Sequence, residues 1–151
     1  MKLAEALVLR SDVSKRMEQV KARALRNAKV QDGDQPAEDP SALIQEHDCL
    51  AEELEALISS INRTNSPTPF LGATLTEALA KRDVLRLRQA AWRDVAESAT
   101  VVQTVKTKSE VRFRSASNVQ QAQNQADDLS RDLRNLDAKI QEANWLTSLV
   151  E

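Results

Sequence analysis

A chain of 151 residues with 41% hydrophobic but only 3% aromatic residues has apolar material for one domain, yet two Trp, two Phe and no Tyr exclude a thick aromatic core. One Cys excludes an intrachain disulfide, and one His excludes the zinc patterns that need two His or a Cys pair. A formal net charge of −2 with a pI near 5.6 offers no long-range attraction to polyanions.

These limits lead to a thin core of Leu, Ile, Val and Ala between long helices. The expected fold is all-α: an antiparallel bundle of four long helices with coiled-coil-like seams, in one helical-bundle domain spanning residues 1–151. Such a core is of the kind that a second subunit completes. Glu5, Arg10 and Asp12 interrupt the apolar start before a secretory core can form, and no apolar run approaches the roughly 18 residues of a membrane span. A soluble, cytoplasmic protein is expected.

The first helix is predicted from Leu3 to about Asn27, with Leu3, Ala6, Val13, Met17, Val20 and Ala24 at heptad spacing and Arg10 in one seam position. Leu7, Val8, Leu9 and Leu25 add a second apolar stripe, so this helix is expected to have more than one packed neighbour. Residues 1–30 carry eight Lys/Arg and three Asp/Glu, whereas residues 31–61 carry nine Asp/Glu and no Lys or Arg. Consecutive helices of this kind are electrostatically complementary when folded back on one another.

Lys29 to Pro40 is acidic and turn-forming around Asp32-Gly33-Asp34 and Pro36. Its carboxylates lack the twelve-residue spacing of a calcium loop, so a helix connection is the favoured reading and no metal is assigned. Asp39-Pro40 then supplies an N-cap carboxylate and a proline at the first helical position.

The second helix is predicted to about Asn62, with Leu43, His47, Leu50, Leu54, Leu57 and Ile61 in the seam. His47 therefore lies on the apolar face, as a structural histidine or a polar residue on an oligomer axis; Cys49 points elsewhere and forms no catalytic pair with it. A polar exit, Asn62-Arg63-Thr64-Asn65-Ser66-Pro67, precedes a turn at Thr68 to Gly72.

Thr74 and Glu77 form a capping box opening the third helix, predicted to about Ala99. Leu75, Ala78, Leu85, Trp92, Ala96 and Ala99 make one stripe, and Val84, Leu87, Ala91 and Val95 make another. A helix apolar on two sides is central in its own bundle or shared with a neighbouring chain. Period-two alternation at Val101 to Val105 and Val111 to Arg114 then predicts one β-hairpin at about 101–115, between the third and fourth helices, with Lys106, Lys108, Arg112 and Arg114 on its outer side.

The fourth helix is predicted from Ser117 to Trp145. Ser117 and Gln120 form its capping box, and Ala122, Ala126, Leu129, Leu133, Leu136, Ile140 and Ala143 its seam.

MKLAEALVLRSD, RNAKVQDGDQPAEDP, INRTN, TLTEALAKRDVLRLR and LDAKIQEANW together resemble a family of small, mostly bacterial proteins often labelled septicolysin. The resemblance implies a helical, self-associating protein and carries over no catalytic residue. The label implies a thiol-activated cytolysin, whose thiol here would be Cys49. The two linker strings are candidates for a shared site or interface, with Asn27, Lys29, Asn62, Arg63 and Asn65 converging if the loops meet at one end of the bundle.

No nucleophile, base and orienting group stand at compatible spacing, so no enzyme activity, cofactor or small-molecule substrate is assigned. The leading reading is a self-assembling structural or interaction protein, a homo-oligomer. The alternative is nucleic-acid binding by the basic hairpin, and a third reading is membrane lysis, as the family label suggests.

Overall fold

The computed structural model describes residues 1–101 and 113–150. They form four helices, α1 (Leu3–Asn27), α2 (Pro40–Asn65), α3 (Leu75–Ala99) and α4 (Val119–Leu146), with two-residue strands β1 (Pro69–Phe70) and β2 (Ala73–Thr74) between α2 and α3. They divide into two compact units, Met1–Leu75 with Glu142–Glu151, and Thr76–Gln141.

In the first unit, α1 and α2 pack through the expected heptad seams. Val13, Val20, Ala24, Leu43, Leu50 and Leu57 form a buried cluster, with Met17 and Leu54 against it. Burial of a Leu or Val side chain stabilises by about 1.5–3 kcal/mol, so these layers dominate the pairing. The helices are antiparallel. At one end Arg23 of α1 grips Glu38, just before α2; at the other, the start of α1 and the end of α2 both bind the C-terminal segment.

The connection between α1 and α2 is locally determined. Asp34 N donates to Gln31 O at 3.0 Å around Gly33, whose φ of +90° is a conformation that a Cβ would strain. Asp39 then caps α2 as its sequence predicts, Oδ1 accepting from Ser41 N at 2.9 Å and its carbonyl from Leu43 N at 3.1 Å.

Helix α2 runs three residues beyond the expected end at Asn62. Thr64 returns its hydroxyl to Ser60 O at 2.7 Å, and Ser66 N donates to Asn62 O, so the polar exit continues the helix. The turn expected at Thr68 to Gly72 is the tip of an antiparallel hairpin in the register Pro69 with Thr74 and Phe70 with Ala73. Leu71 and Gly72 take φ of +49° and +83°, the two left-handed residues that a twisted two-residue hairpin requires.

In the second unit, Ala78, Leu85, Ala96, Ala122, Ala126, Leu129 and Ile140 are buried. Four of these seven are alanine, which is the thin core that the scarcity of aromatics implies. All seven predicted seam positions of α4 are buried or half-buried. Its cap is corrected by one residue. Asn118, rather than Ser117, accepts from Gln121 N at 3.0 Å, and its carbonyl takes the first helical bond from Ala122 N.

The second stripe of α3 is exposed: Val84, Leu87, Ala91 and Val95 all face solvent, as does Trp92 from the first stripe. The hairpin expected at about 101–115 falls largely on residues 102–112, which lie outside the described residues.

Candidate functional site

The candidate residues from the two linker strings do not converge on a vacant polar site. Asn27, at the last turn of α1, donates through Nδ2 to Arg23 O at 3.0 Å and accepts through Oδ1 from Glu38 N at 3.2 Å. Both ends of its amide are thus committed to holding the loop. Arg23 completes the arrangement: Nε lies 3.1 Å from each carboxylate oxygen of Glu38, and Nη2 contacts Oε1. The fork lowers the Glu38 pKa chiefly through the Arg23 hydrogen bonds, against partial desolvation and with help from the charges of Arg23 and Arg26. The Arg23 pKa is raised for the same reason. Lys29, two residues on, is exposed.

The second string serves the opposite end of that unit. Thr64 is buried to 1% exposure, and its hydroxyl both donates to Ser60 O and accepts from Val150 N at 2.9 Å. Its carbonyl accepts from the Thr68 hydroxyl at 2.6 Å, and Thr68 O receives Leu75 N at 2.9 Å. One threonine therefore links the end of α2, the hairpin leading to α3 and the C-terminal segment. Arg63 donates to Ser60 Oγ at 3.1 Å, Asn62 is exposed and Asn65 is buried.

Around this point the chain ends join. Leu3 N donates to Thr147 O at 3.0 Å, Leu149 N to Met1 O at 2.9 Å, and Lys2 Nζ to Leu146 O at 2.9 Å. Thr64 stands in the polar run that the sequence marks as capping helix ends and tying loops together, but its partner lies 86 residues away and leaves no local signal.

His47 occupies its seam position half-buried, with 27% of its side chain exposed and Nδ1 3.8 Å from Asp48 Oδ1. Cys49 is a free, exposed thiol. Among the described residues no group of three or more His, Cys, Asp or Glu side chains is placed to hold a metal ion, and no helix is long and apolar enough to cross a membrane.

Arg114 is exposed and lines an open cavity of about 480 Å³ in the second unit, with Asp94, Val95, Ser98, Val101 and Phe113. Asp94 of this lining lies 3.5 Å from Arg93. Lys106, Lys108 and Arg112 lie outside the described residues.

No curated protein matches the chain. Among solved structures, the chain is similar to a functionally unknown conserved protein from Corynebacterium diphtheriae, with 36% sequence identity over 99% of each chain and a TM-score of 0.90. A model of a family of unknown function, DUF6847, matches residues 10–149. Neither match carries the septicolysin name or a cytolytic activity, so the expected label gains no support. With residues 10–149 matched, nearly the whole length, the chain belongs to the DUF6847 family.

Proposed function

We propose that the protein is a self-associating structural or interaction protein, without catalysis of its own, whose working surface forms where helical seams are completed between copies. The observation that carries this reading is the exposed apolar stripe of α3. Val84 and Leu87 are 54% and 72% exposed, and Val95 and Trp92 lie close by along the same helix. A regular row of large apolar side chains in water is a standing penalty of about 25 cal/mol for each Å² of apolar surface, which association removes.

The polar features support the same reading. Asn27, Arg23 and Glu38 hold a loop, and Thr64 holds the chain ends. Their hydrogen-bonding capacity is spent on the fold, and the exposed helix faces are the surfaces on which this reading rests.

Light scattering on the purified chain at low micromolar concentration tests the proposal. A defined multiple of 16.8 kDa is the expected result, and a monomer at every concentration up to about 100 μM refutes it.

A further inference from the structure

The outward faces of α2 and α3 carry matching patterns of opposite charge. On α2, Ile44, Asp48, Ala51, Glu55 and Ile58 recur at alternating steps of four and three, forming a stripe separate from the seam that meets α1. On α3, Lys81, Val84, Arg88, Ala91 and Val95 recur at alternating steps of three and four. All ten residues are exposed except Ala51, which is half-buried. Glu55, Lys81 and Arg88 have no ion-pair partner among the described residues, and Asp48 has only His47 at 3.8 Å.

We infer that α2 of one copy packs in parallel against α3 of a second copy through these two stripes, an inference that rests on the self-association proposed above. The register follows from the charges. Parallel pairing can set Asp48 opposite Lys81, Ala51 opposite Val84, Glu55 opposite Arg88 and Ile58 opposite Ala91, so both charged layers meet their opposites and the two apolar layers beside them meet apolar partners, with Ile44 and Val95 beyond the matched layers. Antiparallel pairing of the same stripes sets Asp48 against Ala91, Glu55 against Val84 and Arg88 against Ala51, placing four charges against apolar partners once Lys81 meets Ile58.

The same logic excludes a stripe pairing with its own copy in parallel. Two α3 helices would align Lys81 with Lys81 and Arg88 with Arg88, and two α2 helices would align their carboxylates. Antiparallel self-pairing of α3 would set Lys81 against Ala91 and Arg88 against Val84, so the acidic stripe of another chain is the occupant that matches both charges of the α3 stripe. Charged layers specify partner and direction, and the apolar layers supply most of the burial.

Charge exchange tests this interface. Glu55→Arg and Arg88→Glu each place like charges in one layer, and each is expected to weaken self-association about tenfold or more in sedimentation equilibrium. The double variant Glu55→Arg/Arg88→Glu restores an opposite pair and is expected to return to within about threefold of the parent. Both positions are exposed, and circular dichroism confirms that the variants are folded. If either does not fold, Glu55→Gln and Arg88→Gln take its place, each expected to weaken association less than reversal does.

Several results would overturn the inference. Single variants that associate as the parent does remove this interface and leave self-association standing, and so does a double variant that fails to recover. A monomeric parent removes both proposals.

Discussion

Thr64→Val separates a structural clamp from a ligand-binding polar cluster. The substitution keeps the shape of the side chain and removes only the hydroxyl, at a site 1% exposed. Two hydrogen bonds disappear. The bond to Ser60 O, an acceptor within α2, is of the neutral kind that contributes about 0.5–1.5 kcal/mol net. The bond from Val150 N is the larger matter, since its loss leaves a backbone donor unpaired, at about 1–3 kcal/mol where water cannot enter. Val150 is itself exposed, so water recovers part of that second figure, and the added methyl gains burial of about 0.8 kcal/mol. A net destabilisation of about 1–2 kcal/mol is expected.

In urea, with a slope of about 2 kcal/mol/M, the midpoint falls by about 0.5–1 M. Amide exchange at Val150 should accelerate together with that of Leu149, because both hold the same terminal segment. A chain ending at Leu149 provides the control: with the donor gone, the penalty of Thr64→Val should fall by half or more. A Thr64→Val protein as stable as the parent, with unchanged exchange at Val150, would refute the reasoning.

Three further outcomes follow from the same geometry. Because the Arg23 fork depresses the Glu38 pKa, its contribution is present above the unfolded-state value near 4.5 and lost as pH falls through the folded-state value. Thermal melts from pH 7 to pH 2 should therefore show a shallower acid-side loss for Glu38→Gln than for the parent; identical slopes would count against the pairing. Leu71→Asn places the preferred residue pair in the left-handed turn, and a stabilisation of about 0.5–1 kcal/mol is expected by chemical denaturation, with a loss of stability as the contrary result. Leu50→Ala opens a cavity between α1 and α2 and should destabilise by about 2–5 kcal/mol, whereas Ile44→Ala on the exposed stripe should change the monomer by less than about 1 kcal/mol.

The family and the similar structure fix the fold without supplying an activity. The polar residues that first attract notice, Asn27 and the Asn62 to Asn65 run, largely serve the fold, while the apolar side chains on the far faces of α2 and α3 remain available to a partner.

What the sequence determined by itself are the features decided within a few residues of one another. The limits of α1 and the start of α2 match their local signals, because heptad spacing, an N-cap carboxylate and a first-turn proline act over one or two turns of helix. The α4 seam was legible for the same reason, and its cap was displaced by one residue only because Asn118 and Ser117 are both competent acceptors. The hairpin at Pro69 to Thr74 was legible as a turn but not as strands, since two residues on each side are too few to show a period of two.

Only the tertiary structure decided the rest. It chose which stripe of α3 is buried, because two apolar stripes on one helix carry equivalent local patterns and packing selects between them. It also joined Thr64 to Val150 and Leu3 to Thr147, since hydrogen bonds between groups so far apart in the chain leave no periodicity to read and exist only once the helices have brought the ends together.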